Sequence, residues 1–167
     1  MLDYRVSPCE GDGREEAYRV LQALLCERFG ERGTELFKGL YKDKNGKPCL
    51  PRESGLFVSI SHTGDFGAAA ISNSQVGIDI EEISLLNEKK KALLERFFAN
   101  EDITAAKADA TGREFYRFWT RREAAFKAFA DKPFYAADPV LGNEAKIKTY
   151  FSTASGREVV YSIANEK

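Results

Sequence analysis

The sequence predicts an α+β fold, and three observations carry that reading. An apolar stripe at helical spacing runs through Ala17, Val20, Leu21, Leu24, Leu25 and Cys26. Short segments between Leu56 and Ile80 alternate with the period of strands. An aromatic-rich helical pattern then occupies about Arg113 to Ala130, ahead of two further strand-like segments.

Taken in order, the first helix covers Arg14 to Phe29, with Asp12-Gly13 as its start signal and Gly30 as its stop. Tyr41 to Pro51 is rich in turn residues, and Asn45-Gly46 is its strongest hairpin signal. Leu56 to His62 alternates as a strand, Thr63 to Gly67 turns the chain, and Ala68 to Ser72 returns. Val76 to Ile80 is read as the third strand of an antiparallel meander. Beyond Ser84 the period becomes helical through Leu85, Leu86, Leu93, Leu94, Phe97 and Phe98, with Lys89-Lys90-Lys91 read as a solvated face. Asn100-Glu101-Asp102 caps a short helix to Ala110. The long helix follows and is stopped at Asp131-Lys132-Pro133, and strands are expected over 145–150 and 158–164. The division expected is two lobes within one compact unit, residues 1–73 and 74–167, meeting near Asn73.

Composition narrows the function. A net charge of −1 argues against a general nucleic-acid binder, which neutralises many phosphates at once. No apolar run approaches the roughly 20 residues of a membrane span, and residues 1–5 lack the apolar core of a signal peptide. Cys9, Cys26 and Cys49 are scattered without CxxC spacing, as expected of reduced thiols in a cytoplasmic protein.

The chemistry concentrates in two segments. In Val76-Gly77-Ile78-Asp79-Ile80-Glu81 the alternation buries Val76, Ile78 and Ile80 and sets Asp79 and Glu81 together on the opposite face. In Trp119 to Lys127 a helix offers a third carboxylate, Glu123, with Lys127 one turn later. Three convergent carboxylates and a lysine suit a hard divalent cation beside a phosphate-bearing ligand. The plainer alternatives are a solvated strand face for Asp79 and Glu81 and an i,i+4 ion pair for Glu123 and Lys127. Helical spacing puts Phe115, Phe118, Trp119, Phe126 and Phe129 on one arc, taken as the core face, with Arg122 at its centre. A guanidinium there needs a carboxylate, a backbone carbonyl or a ligand. His62, the sole histidine, lies in Ser61-His62-Thr63-Gly64, either a structural strand end or a place to hold a phosphate. Asn45-Gly46-Lys47-Pro48 reads from its residues only as a turn.

Together these residues resemble the 4′-phosphopantetheinyl transferases of the surfactin-synthetase-activating type. The family pattern of a Gly-Ile-Asp-Ile-Glu strand followed, roughly forty residues on, by Trp-x-x-Lys-Glu-(Ala/Ser)-x-x-Lys reads here as Gly77 to Glu81 and Trp119 to Lys127. Gly46-Lys47-Pro48 and Ile60 to Gly64 match two further signatures. The resemblance implies that family's fold of two related lobes, each a small antiparallel sheet on a long helix. It implies Mg²⁺ on Asp79, Glu81 and Glu123, with coenzyme A as substrate and an acyl or peptidyl carrier protein as partner. Phosphopantetheine would pass to a carrier serine, and 3′,5′-ADP would leave. Lys127 would neutralise the pyrophosphate, Arg19 and His62 would contact the 3′-phosphate, and Ser61 would be a further coenzyme A contact. Gly46, Lys47 and Pro48 would surround the adenine, and Glu101 or Asp102 would serve as base. Arg122 stands where the family usually has lysine, and the stretch before Arg14 is shorter than in full-length relatives. The rival readings are a non-catalytic carrier-protein or coenzyme A binding module on the same fold and a Mg²⁺-dependent phosphohydrolase.

Overall fold

The computed structural model describes residues 1–98, 100–129 and 145–166. The chain begins with β1 (Leu2–Pro8), α1 (Gly13–Phe29) and α2 (Glu31–Lys38), then the short ribbon β2 (Tyr41–Lys42) and β3 (Pro48–Cys49). Next come β4 (Phe57–Thr63), β5 (Phe66–Ser72) and β6 (Val76–Glu82). They are followed by α3 (Glu88–Phe97), α4 (Asn100–Ala108), α5 (Arg113–Phe129), β7 (Ala145–Ala154) and β8 (Arg157–Glu166). The result is α+β, with two three-stranded antiparallel sheets ordered β1-β5-β4 and β6-β8-β7. No described helix is long and apolar enough to cross a membrane.

The expected helix 14–29 forms with the expected caps. The Asp12 side chain accepts from the Arg14 amide at 2.8 Å, and Gly30 takes a positive φ of 58°. One topological expectation is overturned: β6 does not extend the β4–β5 hairpin into a meander. The free edge of β5 is taken by β1, with Leu2 opposite Ser72, and β6 pairs instead with β8. The chain turns away at residues 73–75, where the N-terminal amine donates to Asn73 Oδ1 and Ser72 Oγ donates to the Met1 carbonyl. The strand β1 carries no strong alternation, so its place at the sheet edge was not foreseen. Leu85 and Leu86 also precede rather than join α3, whose start is set by Asn87 accepting from the Lys90 amide.

Each sheet seats one long helix against a glycine. A Cβ on Gly67 of β5 would lie 2.3 Å from the Ala17 amide nitrogen of α1, and one on Gly77 of β6 would lie 2.0 Å from the Ala124 carbonyl oxygen of α5. On β5, Ala69 and Ile71 join Leu21 and Leu25 beneath α1, while Phe66, Ala68 and Ala70 face the other way. There they meet Val76, Ile78, Ile80, Val159 and Ile163 of the second sheet, so a second core lies between the sheets. Val76, Ile78 and Ile80 are buried on one face as expected, but Gly77 and Asp79 on the other face are buried too.

The core face of α5 is corrected. Its sheet-facing stripe is Thr120, Ala124 and Ala128, small residues at i,i+4 spacing that allow the close approach at Gly77. The aromatic arc turns instead toward α3 and α4, where Phe118 and Trp119 pack with Leu94, Ala106 and Phe115. Phe126, expected on the core face, is exposed. The helix stop at Asp131-Lys132-Pro133 lies outside the described residues.

Candidate active site

The site forms where β4, β6 and α5 meet. Ser59, Ser61 and Thr63 point from alternate positions of β4 toward the edge of β6 that has no strand partner among the described residues. Their hydroxyls accept from the amides of Ile78 at 3.1 Å, Ile80 at 3.4 Å and Glu82 at 3.4 Å. Side chains thereby satisfy the edge of a strand whose other edge pairs with β8. Ser61 Oγ also donates to Asp79 Oδ1 at 2.8 Å, and Thr63 Oγ1 lies 3.5 Å from Glu81 Oε2.

Because α5 rides over Gly77, it covers the face of β6 that bears Asp79 and Glu81. Asp79 is only 5% exposed, which rules out a solvated strand face. Lys127 reaches down from α5 and donates to Asp79 Oδ1 at 2.7 Å, Ser61 Oγ at 3.0 Å and the Ile78 carbonyl at 3.2 Å. Its salt bridge is therefore to Asp79 across the strand–helix interface. The other Asp79 oxygen, Oδ2, is buried without a hydrogen-bond partner.

Burial, and next to it the charge of Asp79, pushes the Glu81 carboxyl up to about 7. Burial followed by Asp79 also raises the Glu123 carboxyl, with Lys127 and Arg122 opposing. Asp79, Glu81 and Glu123 thus share one electrostatic neighbourhood whose negative charge Lys127 offsets only in part. Among the described residues no three His, Cys, Asp or Glu side chains are already gathered around a metal position. The orphaned Asp79 oxygen and the mutual repulsion of the carboxylates nonetheless fit a hard cation, which prefers oxygen donors.

A groove of about 800 Å³ opens beside this cluster. Gly46, Lys47 and Pro48 of the β2–β3 turn line it with Ser61 and His62 from β4 and Lys127 from α5. Arg14, which could substitute for the family's further basic contacts, lines it too, as do Tyr18 and Phe126, which the family pattern did not pick out. His62 is exposed there, its ring on the face of β4 opposite the Ser59–Ser61–Thr63 ladder. Arg19 is not among the lining residues; its guanidinium bonds to Glu15 and Glu16 along α1. Lys47 donates to the Lys127 carbonyl at 2.5 Å, and burial holds its ammonium below the usual lysine range.

On the Glu81 side lies a second cavity of about 450 Å³, lined by Thr63, Glu81, Lys90, Phe115, Tyr116 and Trp119 among others. Lys90 is half-buried, donating to Ser84 Oγ at 2.8 Å and to the Tyr116 hydroxyl. The solvated-face reading of the lysine run is corrected at that residue. Arg122 is 6% exposed, and its Nη1 donates to the Phe97 carbonyl at 2.5 Å beside the Phe98 ring. Of the two candidate bases on the first turn of α4, Glu101 is exposed, while Asp102 is half-buried with Arg121 within its electrostatic reach.

Residues 75–139 match the family model of the 4′-phosphopantetheinyl transferase superfamily. Among curated proteins, the chain is 34% identical over 86 residues to 4′-phosphopantetheinyl transferase psf-1 of Bacillus pumilus, a match spanning 50% of this chain and 36% of that protein. It is 33% identical over 90 residues to 4′-phosphopantetheinyl transferase gsp of Aneurinibacillus migulanus, covering 52% of this chain and 36% of that one. To 4′-phosphopantetheinyl transferase HetI of Nostoc sp. it is 30% identical over 96 residues, with 53% and 40% covered. The chain therefore spans little more than a third of the length of these curated relatives. Over the matched stretch, which holds Asp79, Glu81, Glu123 and Lys127, the chain is similar to the 4′-phosphopantetheinyl transferase superfamily and resembles its surfactin-synthetase-activating type.

Proposed function

We propose that the chain transfers 4′-phosphopantetheine from coenzyme A to a serine of an acyl or peptidyl carrier protein, releasing 3′,5′-ADP. The observation that carries this reading is the cluster of buried Asp79 with half-buried Glu81, Glu123 and Lys127, which meets an 800 Å³ groove through Lys127. The two sheets, each with its helix, are read as the two related lobes of that family, with the site at their junction.

Asp79, Glu81 and Glu123 would hold Mg²⁺, and the orphaned Asp79 oxygen is the group that most needs it. When bound, the cation supplies charge neutralisation to a pyrophosphate. The groove would take the nucleotide end of coenzyme A, with His62 at the 3′-phosphate and the turn at Gly46-Lys47-Pro48 beside the adenine. Arg14 is placed to add the positive charge that Arg19 spends on its own helix. Lys127, which reaches both the groove and Asp79, stabilises charge building on the departing 3′,5′-ADP. The serine oxygen forms the new bond to the β-phosphorus as the bond to the bridging pyrophosphate oxygen breaks. The hydroxyl proton passes to a carboxylate, Asp102 or Glu101.

The deciding assay incubates the chain with coenzyme A, Mg²⁺ and a panel of apo carrier proteins. Mass spectrometry follows the carrier and chromatography follows 3′,5′-ADP. Carrier modification with matched 3′,5′-ADP release is expected. Coenzyme A binding without either product would make the chain a binding module, and 3′,5′-ADP release without carrier would make it a phosphohydrolase.

A further inference from the structure

We propose that Lys47 is a positioning residue, whose ammonium acts on the reaction by fixing the backbone of α5 at Lys127 while its stem lines the groove. The inference rests on the transferase reading above. The β2–β3 turn that presents Lys47 is built by one side chain: Asp43 Oδ1 accepts from the amides of Asn45 at 2.8 Å and Lys47 at 2.9 Å. The Asp43 amide in turn donates to the Lys47 carbonyl at 2.9 Å, and Gly46 supplies the positive φ of 81° that closes the turn. This braced turn aims the Lys47 side chain at α5, where Nζ donates to the Lys127 carbonyl.

Lys127 is consequently held at both ends. Its carbonyl is gripped by Lys47, and its ammonium by Asp79, Ser61 and the Ile78 carbonyl. The two grips come from different elements, the turn on one side and β4 with β6 on the other, so together they fix where the Lys127 ammonium stands. The same turn lines the 800 Å³ groove through Gly46, Lys47 and Pro48. The wall that receives a ligand is thus tied by one hydrogen bond to the residue that meets the reacting phosphate. Because Nζ bonds to the Lys127 carbonyl, removing the ammonium while keeping the stem should disturb the placement of Lys127 more than ligand affinity.

The test compares Lys47→Met, which keeps the aliphatic stem and removes the donor, with Lys47→Arg and Lys47→Gln, which keep a donor. With apo carrier and Mg²⁺, Lys47→Met should lower kcat by about ten- to a hundredfold, the scale of a small misplacement at a reacting centre. KM and calorimetric Kd for coenzyme A should stay within about threefold of wild type, and Lys47→Arg should recover most of kcat. Independently of turnover, acylation of Lys127 by an amine-reactive probe, read by peptide mass spectrometry, should rise in Lys47→Met and not in Lys47→Arg. Weakened coenzyme A binding with unchanged kcat would overturn the proposal and make Lys47 a ligand contact. Unchanged kcat with unchanged Lys127 labelling would overturn it as well. A wild-type chain that transfers nothing defeats the transferase reading, and Lys127 labelling then still decides the role of Lys47. Should Lys47→Met fail to fold, Lys47→Gln carries the same comparisons, its shorter reach predicting an intermediate loss of kcat.

Discussion

Asp79 and Glu81 sit two residues apart on one strand, yet their surroundings give them opposite effects on stability. Asp79 accepts from Lys127 and Ser61, so Asp79→Asn removes an ion pair and leaves the ammonium poorly compensated. The metal-free chain should lose about 1–3 kcal/mol by that change, the range for a hydrogen bond between charged groups. Glu81 is pushed up to about 7 by burial and by Asp79, so its charge opposes folding at neutral pH. Glu81→Gln should therefore raise the metal-free melting temperature while, as in Asp79→Asn, transfer falls by about a hundredfold or more. Melts of both variants at pH 7.5 without Mg²⁺ check this, and shifts of the same sign would refute the division of roles. His62 gives a separate prediction, since its side chain lines the groove from an exposed position. His62→Ala should weaken coenzyme A by roughly 1–3 kcal/mol and 3′-dephospho-coenzyme A much less. Equal losses for the two ligands would place His62 elsewhere than at the 3′-phosphate.

Helix α5 shows what was legible in the sequence and what was not. The strand alternation around Asp79 and the one-turn spacing of Glu123 and Lys127 are local periodicities, and both appear as read. The face of α5 was misjudged because size and hydrophobicity point opposite ways. Helical spacing favours the aromatic arc, but the sheet approaches so closely at Gly77 that only Thr120, Ala124 and Ala128 fit against it. The Ser59–Ser61–Thr63 ladder was equally hidden, since hydroxyls on a strand carry no mark that the neighbouring strand belongs to another sheet. Arg122 fell where the wheel put it, with a backbone carbonyl as partner. Two substitutions test this element. Gly77→Ala would set a methyl 2.0 Å from the Ala124 carbonyl and push α5 off β6; it should cost about 3 kcal/mol or more, the upper part of the overpacking range. Arg122→Met strands the Phe97 carbonyl and should cost about 1.5–3 kcal/mol, whereas Arg122→Lys should keep much of the stability. A Gly77→Ala chain that melts like wild type would mean the helix has slack at this contact, and the close approach would not be what places Lys127.

At the scale of the molecule, the two sheets are joined on one side by the hydroxyl ladder and on another by an ionic clasp. Arg157, the first residue of β8, bonds to Asp65 in the β4–β5 turn and to Glu82 at the end of β6. Its guanidinium also stacks over the Phe66 ring at 4.9 Å. The clasp ties the β4–β5 turn to the end of β6, one residue beyond Glu81. The hydrogen bond from Arg157 holds the Asp65 carboxyl below its usual range. A carboxyl lowered on folding contributes stability that is present above the ordinary carboxylate range and is lost as pH falls through its folded value. Arg157→Gln abolishes that contribution, so wild type should melt above the variant at pH 7 and the gap should narrow steadily below pH 4 as Asp65 takes up its proton. Stacking on Phe66 does not titrate, and whatever part of the gap it supplies should persist at pH 3. Paired thermal melts from pH 7 to pH 3 separate the two contributions. A gap that keeps its full size throughout would assign the joint between the sheets to the Phe66 contact and leave the Asp65 ion pair without a part in it.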